Sequence, residues 1–143
     1  MKIVVLIKEV PDTWGDRRLD LETGLLDRTS ADPVVDEINE RALEVALSYA
    51  EGQADTEIVA LAVGPATVPT SLRKALGMGA DSAVHVLDDG LVGADLTLTS
   101  QVIAAAIARI GFDLVIAGNV STDGGASAVP SMVAELLGVP AAT

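Results

Sequence analysis

The sequence predicts an α/β fold, in which a doubly wound parallel sheet of four or more strands carries helices on both faces. Two observations predict it. Short runs rich in Val and Ile alternate along the chain with stretches whose apolar residues recur at helical spacing, and such alternation is typical of a parallel sheet. The 143 residues also include only one Trp, one Tyr and one Phe. The core must therefore consist of Val, Ile, Leu and Ala, as in strands that helices cover on both faces.

Four buried strands are predicted, because each is a short apolar run bounded by polar or turn-forming residues. The second, for example, stops at Gly64-Pro65. Their predicted order across the sheet is third, second, first, fourth, so the first strand lies between the second and the fourth. The predicted strands span Ile3–Ile7, Glu57–Val63, Ser82–Leu87 and Asp113–Ala117.

Four helices are predicted from caps and from apolar periodicity. The first begins at Asp32-Pro33, because Asp is a favourable N-cap and Pro suits the first helical position. The third follows Asp95 and is closed by Gly111, and the fourth spans Ser127–Leu137. The apolar positions that indicate the first two helices are Val34, Val35, Ile38, Ala42, Val45 and Tyr49, and then Leu72, Ala75 and Leu76.

Residues 1–143 are predicted to form a single domain. A polar segment precedes the first helix, and within it Glu22-Thr23-Gly24 joins the arms of a small hairpin. Gly138 and Pro140 close the fourth helix, whereas a doubly wound sheet normally continues into another strand. We therefore expect this chain to be truncated at the C-terminus, as the N-terminal part of a longer protein.

Charge and composition exclude several classes of function. The formal net charge of −12 argues against binding to nucleic acid and to anionic membranes, because both require basic surfaces. There is no Cys and only one His, which leaves no metal cluster and no nucleophile–base pair for catalysis. The apolar run Ile3–Ile7 is too short for a signal peptide or a membrane span, so we expect a soluble, cytoplasmic protein without membrane insertion.

A ligand site is predicted at the carboxyl ends of the first and fourth strands, where the strand order reverses. The loops there are Lys8–Asp12 and Gly118–Ser127, and the second is rich in glycine and runs into a helix. Backbone N–H groups of such a loop bind phosphate. The same residue types also suit an ordinary turn with Ser127 as N-cap. Asp123 either accepts a hydrogen bond from a ribose or caps the loop, and its charge would repel a phosphate if it pointed inward.

Five segments in order carry a resemblance to a known family. They are Lys8–Asp12, Asp36–Ala42, Val63–Pro65, Leu72–Asp81 with the following Ala83–Val86, and Asp113–Gly118 with Asp123-Gly124. Together they resemble the β subunit of electron transfer flavoprotein, in the form associated with bacterial fix-type operons. This implies a Rossmann-like fold of the adenine-nucleotide-binding type in a cytoplasmic bacterial protein.

The resemblance implies an electron carrier subunit without catalytic residues of its own. It implies a heterodimer with an α subunit that holds most of the FAD, and electrons accepted from acyl-CoA or other flavin dehydrogenases. The β subunit then binds AMP as a structural cofactor. Leu6 and Val63 offer backbone groups to the adenine, and Asp32, Pro33, Val34 and Val35 form the helix start beside it. The ribose and phosphate are surrounded by Gly118, Asn119, Val120, Ser121, Thr122, Asp123, Gly124, Gly125, Ala126, Ser127, Ala128 and Val129.

Three alternatives stay open on the sequence. Electron-bifurcating members of this family hold a second FAD in place of AMP, and the Asp123-Gly124 pair resembles theirs. The second alternative is a stand-alone adenine-nucleotide-binding module similar to universal stress proteins, which have a similar fold. Those proteins bind ATP through a glycine pattern after the last strand, and this chain lacks that pattern. The third alternative, an adenylating enzyme, needs basic residues that contact a pyrophosphate. Lys8 is the only basic residue in the candidate loops.

Overall fold

The computed structural model describes residues 1–143, and its architecture is the predicted α/β fold. A short 3₁₀ turn at Asp89–Leu91 precedes the third helix. The strands are β1 (Lys2–Leu6), β2 (Glu9–Pro11), β3 (Pro33–Val35), β4 (Glu57–Val63), β5 (Ser82–Val86) and β6 (Leu114–Ile116). The helices are α1 (Glu37–Ala50), α2 (Val68–Met78), α3 (Leu96–Ile110) and α4 (Val129–Leu137).

The main sheet is parallel and has the order β5-β4-β1-β6, which confirms the predicted order. β1 lies inside the sheet, because Val4 pairs with Val59 on one side and with Val115 on the other. β5 and β6 are the two edges of the sheet. The strand order therefore reverses between β1 and β6, where the ligand crevice is expected.

Successive residues of the central strands face opposite helical layers, as the two-residue period of a strand requires. Ile3 and Val5 belong to a core shared with α1 and α2. Val4, between them, belongs to a second core shared with α3 and α4. Both faces of the sheet are thus covered, which explains why its strands read as continuous apolar runs.

The predicted start of the first helix is wrong. Residues 33–35 form β3, which pairs antiparallel with β2, and α1 begins only at Glu37, with Asp36 as its N-cap. The Asp32-Pro33 signal is a valid local cap pattern, but pairing with β2 holds these residues in an extended conformation. Extended backbone is also compatible with Pro33 at the end of a two-stranded ladder.

The apolar face predicted for the first helix is also partly wrong. Val45 and Tyr49 are 61% and 47% exposed. α1 instead buries Asn39, Ala42, Leu43 and Ala46, because these residues lie on the stripe that faces β1 and β4. The later start of the helix does not change its periodicity. Packing against the sheet decides which of two adjacent stripes of side chains is buried.

The segment between β2 and β3, residues 12–32, is here called the strap. Its base is the β2–β3 ladder, extended by a hydrogen bond from Asp12 N to Asp32 O of 2.9 Å. Within it, Leu19 and Leu26 form an antiparallel bridge, and Gly24 adopts φ +70° at the turn, which confirms the predicted hairpin. None of the strap residues is fully buried.

No helix of the protein is both long and apolar enough to span a membrane, and no three His, Asp or Glu side chains are grouped so that they would hold a metal ion.

Candidate functional site: the crevice between β1 and β6

The crevice lies at the carboxyl edge of the sheet, where Leu6 ends β1 and Val63 ends β4. The segment Gly118–Ala128, here called the glycine loop, connects β6 to α4 across this edge. Lys8 lies two residues after the end of β1 and reaches the loop with its side chain. The structure therefore brings together the two loops that the sequence places at the reversal of strand order.

Gly118 allows the start of the glycine loop to pass close to α1. A Cβ atom at this position would lie 2.7 Å from Asn39 Nδ2 and 2.8 Å from Ile38 Cγ2, so a larger residue would have to displace these two side chains. Asn39 is buried, and its Oδ1 accepts a hydrogen bond of 3.0 Å from the backbone N–H of Lys8. The first turn of α1 thus fixes both sides of the crevice.

Asp36 joins the N-terminus of α1 to the glycine loop. Its carboxylate is completely buried and caps α1 by accepting a hydrogen bond from Ile38 N. The other oxygen accepts from Thr122 N at 2.7 Å and from Thr122 Oγ1 at 3.2 Å. One carboxylate therefore satisfies the helix terminus and an otherwise unpaired loop amide together.

Asp123 is the electrostatic centre of the glycine loop. Its side chain is 1% exposed and forms ion pairs with Lys8 Nζ at 2.7 Å and with an Arg28 guanidinium nitrogen at 2.8 Å. Burial alone would raise the pKa of Asp123. The hydrogen bond and charge of Lys8, together with hydrogen bonds from Ser121 and Arg28, outweigh it and lower the pKa well below its ordinary value of 3.8. The carboxylate is therefore an internal counter-ion.

Arg17 holds the backbone of the same loop from the strap. Its guanidinium donates to the carbonyl oxygen of Thr122 and, at 3.1 Å, to that of Pro11. Its Nε is buried without a hydrogen-bond partner. Lys8 and Arg28 thus pair with the carboxylate of Asp123, whereas Arg17 contacts backbone carbonyl oxygens and no carboxylate.

The second half of the glycine loop is exposed and lacks these contacts. Gly125 has φ +65° and Ser127 has φ +54°, so the backbone turns through the left-handed region twice before α4. The predicted N-cap role of Ser127 is wrong, because Ala128 occupies that position and no side chain caps the helix. The first-turn N–H groups of α4 consequently have no side-chain acceptor, and they carry the partial positive charge of the helix N-terminus.

Of the sequence-predicted site residues, the structure brings Lys8, Ser121, Thr122 and Asp123 into one hydrogen-bonded group. The range Asp32–Val35 does not form a helix start but the base of the strap, where Asp32 and Pro33 are exposed. The remaining residues follow the sequence prediction in position: Leu6 and Val63 end their strands, Gly118, Asn119, Val120, Gly124, Gly125, Ala126 and Ala128 lie in the loop, and Val129 begins α4.

Sequence reasoning missed Arg17, Arg28 and Asp36. The two arginines contact residues 105 and 95 positions further along the chain, and no local pattern indicates such pairs. Lys8 is the only basic residue of the two candidate loops, as the sequence states, but Arg17 and Arg28 reach the site from the strap. A signal for Asp36 did exist, because it directly precedes an amphipathic stretch, but it competed with the stronger Asp32-Pro33 pattern.

The family described as "Electron transfer flavoprotein domain" matches residues 23–143, a range that includes α1 and the whole glycine loop. The chain belongs to this family. Among electron transfer flavoprotein relatives, the subunit beta from Mycobacterium tuberculosis (strain ATCC 25618 / H37Rv) is 51% identical over 146 residues, covering 99% of this chain and 55% of the relative.

Two more distant relatives of the electron transfer flavoprotein family also align along the whole chain. The electron transfer flavoprotein subunit beta of Clostridium acetobutylicum is 37% identical over 143 residues, covering 100% of this chain and 54% of the relative. The caffeyl-CoA reductase-Etf complex subunit CarD of Acetobacterium woodii is 35% identical over 144 residues, covering 100% and 55%. The chain thus spans about half the length of the curated relatives it matches.

Proposed function

We propose that the chain is the nucleotide-binding part of an electron transfer flavoprotein β subunit and that it binds AMP in the crevice between β1 and β6. In this proposal the bound nucleotide is structural. Electrons pass from acyl-CoA or other flavin dehydrogenases through FAD that is held mainly by an α subunit, in the bacterial cytoplasm. The 51% identity to a protein named electron transfer flavoprotein subunit beta supports this proposal over a stand-alone nucleotide-binding module.

One observation carries the nucleotide assignment: the glycine loop begins at a point of reversed strand order and ends at a helix N-terminus without a side-chain cap. Ligands of open α/β sheets bind at such a reversal. An uncapped helix N-terminus next to small residues accepts a phosphate through backbone N–H groups. The adenine is then placed towards Leu6 and Val63, at the ends of β1 and β4.

The residues present fit an anionic nucleotide. The buried Nε of Arg17 has no acceptor, and the guanidinium of Arg17 forms no ion pair with a carboxylate. Asp123 does not oppose the ligand, because Lys8 and Arg28 neutralise its charge. In the exposed half, Gly125 has open space where a Cβ would lie, so a phosphate is able to approach its backbone.

The first test is the identity of the ligand that co-purifies with the chain. The chain is denatured, and the supernatant is analysed by mass spectrometry for AMP, FAD and ATP. Stoichiometric AMP is the expected result. Detection of FAD would mean that a second flavin occupies the site in place of AMP. A chain that binds neither AMP nor FAD would contradict the nucleotide assignment.

The second test is Gly125→Val, which should lower AMP affinity at least about tenfold, because a β-branched residue resists φ > 0 and obstructs the approach to the backbone. Isothermal titration calorimetry with AMP measures the affinity. Gly111→Val is the matched control, since Gly111 has φ +75° and equally open surroundings. Gly111 closes α3 at the amino ends of the strands, away from the crevice at their carboxyl ends. Equal losses of affinity in both variants would mean that strain, and not the site, causes the effect.

A further inference from the structure

The strap has very little apolar packing to hold it in place. None of the residues 12–32 is fully buried, and Trp14, Leu19 and Leu21 are 95%, 62% and 99% exposed. Leu25 lies next to Gly93, where an added Cβ atom would be 3.5 Å from Leu25 Cδ1, but its side chain is still 41% exposed. Burial of apolar surface therefore contributes little to the position of the strap.

Polar contacts to the glycine loop are what connect the strap to the rest of the protein beyond its β2–β3 base. Arg28 contacts Asp123 at 2.8 Å, and Arg17 donates to the carbonyl oxygen of Thr122. Both contacts end on adjacent residues, and those residues are also held by Lys8 and Asp36 from the opposite side. The strap, the end of β1 and the start of α1 thus meet at Thr122 and Asp123.

We propose that Arg28 and Arg17 are positioning residues that close the strap onto the glycine loop, and that this closure slows the release of a nucleotide from the crevice. The second clause rests on the proposed function, whereas the first does not. Neither arginine needs to touch the ligand: Arg28 acts through Asp123, and Arg17 acts through the Thr122 backbone. Opening the strap breaks these charge-assisted hydrogen bonds and the limited packing at Leu25, and it moves no buried residue.

The experiment compares the wild-type chain with Arg28→Gln, Arg28→Lys and Arg18→Gln. Arg28 is about half exposed, so its replacement does not disturb the core. Arg18 is the matched control, since it lies in the same strap but is 72% exposed and contacts only Asp16, at 3.8 Å. Amide hydrogen exchange is followed in peptides from residues 13–30 and from α3, without and with AMP. Release of radiolabelled AMP is followed after addition of excess unlabelled AMP.

Arg28→Gln is expected to speed strap exchange and AMP release by about two- to fivefold, within the range for loss of one partly exposed ion pair. Arg28→Lys should restore most of both rates, because it keeps the charge, and Arg18→Gln should match the wild type. Exchange in α3 should be equal in all four proteins, which separates strap opening from general destabilisation.

Strap exchange that is the same in Arg28→Gln and Arg18→Gln would overturn the closure. Faster exchange with unchanged AMP release would overturn the effect on release. A wild-type chain that does not bind AMP would instead overturn the proposed function, and the exchange rates measured without AMP would still decide whether Arg28 closes the strap.

Discussion

Asp123 combines two properties that a sequence does not distinguish. Its carboxylate lies among small, glycine-rich neighbours. It repels a phosphate if it has no cationic partner, and it does not if a cation neutralises its charge. The structure shows the paired state, with cations contributed by the end of β1 and by the strap. Two of its four hydrogen-bond partners, Lys8 and Arg28, come from distant parts of the chain, whereas Ser121 and Gly124 are its neighbours in the loop. The chemical role of Asp123 was therefore undecidable from its local pattern.

Asp123→Asn is expected to destabilise the chain by about 1–2 kcal/mol at pH 7, as for the loss of hydrogen bonds to a charged group. The pKa of Asp123 is lower in the folded than in the unfolded state. Its stabilisation is therefore fully present above pH 3.8 and is lost as the pH falls below that value. Urea unfolding at pH 7 and in acid should show a difference between wild type and variant that shrinks towards zero in acid.

The control for this prediction is Asp32→Asn. Asp32 is exposed, and its carboxylate forms no hydrogen bond or ion pair. It should change the free energy of unfolding by less than about 0.5 kcal/mol at either pH. An Asp123→Asn effect that does not depend on pH would show that packing, and not charge, stabilises the loop.

At the scale of the elements, most helix and strand positions were predictable because they depend on local signals. Asp95 and Gly111 bound α3 as predicted, and β4 has its predicted limits. The first helix was misplaced because the cap signal at Asp32-Pro33 is locally stronger than the one at Asp36. Pairing between β2 and β3 decides between them, and an antiparallel ladder between segments so far apart leaves no periodic pattern in either one.

The helix N-caps of α1 and α3 provide a direct test of the role of Asp36. Asp36→Ala should destabilise the chain by about 2–4 kcal/mol, because it removes the cap and leaves the partly buried N–H groups of Ile38 and Thr122 without their acceptor. Asp95→Ala removes an exposed cap that accepts only from Leu98 N, and should cost about 1 kcal/mol. Urea unfolding measures both, and equal losses would contradict the assignment of Asp36 as the link between α1 and the glycine loop.

At the scale of the whole molecule, the two edge strands of the sheet matter more for association than its interior. β5 pairs only with β4, and β6 pairs only with β1, so each edge presents unpaired backbone groups. β6 is also apolar, and Leu114 on it is 41% exposed. Such an edge favours association with another strand. The predicted strand order already places the fourth strand, which is β6, at one side of the sheet.

The isolated chain is therefore expected to self-associate at high concentration through β6. Light scattering coupled to size-exclusion chromatography should give a mass above that of one chain, and Leu114→Lys should restore the monomer, because a charged residue on an edge strand disfavours pairing. The net charge of −12 opposes association, so lowering the salt concentration, which extends the screening length from about 8 Å to about 30 Å, should shift the wild type towards monomer. Leu21→Lys is the matched control, since Leu21 is 99% exposed but lies in the strap. A monomeric wild type, or equal dissociation by both lysine variants, would show that β6 is not the surface through which the chain associates.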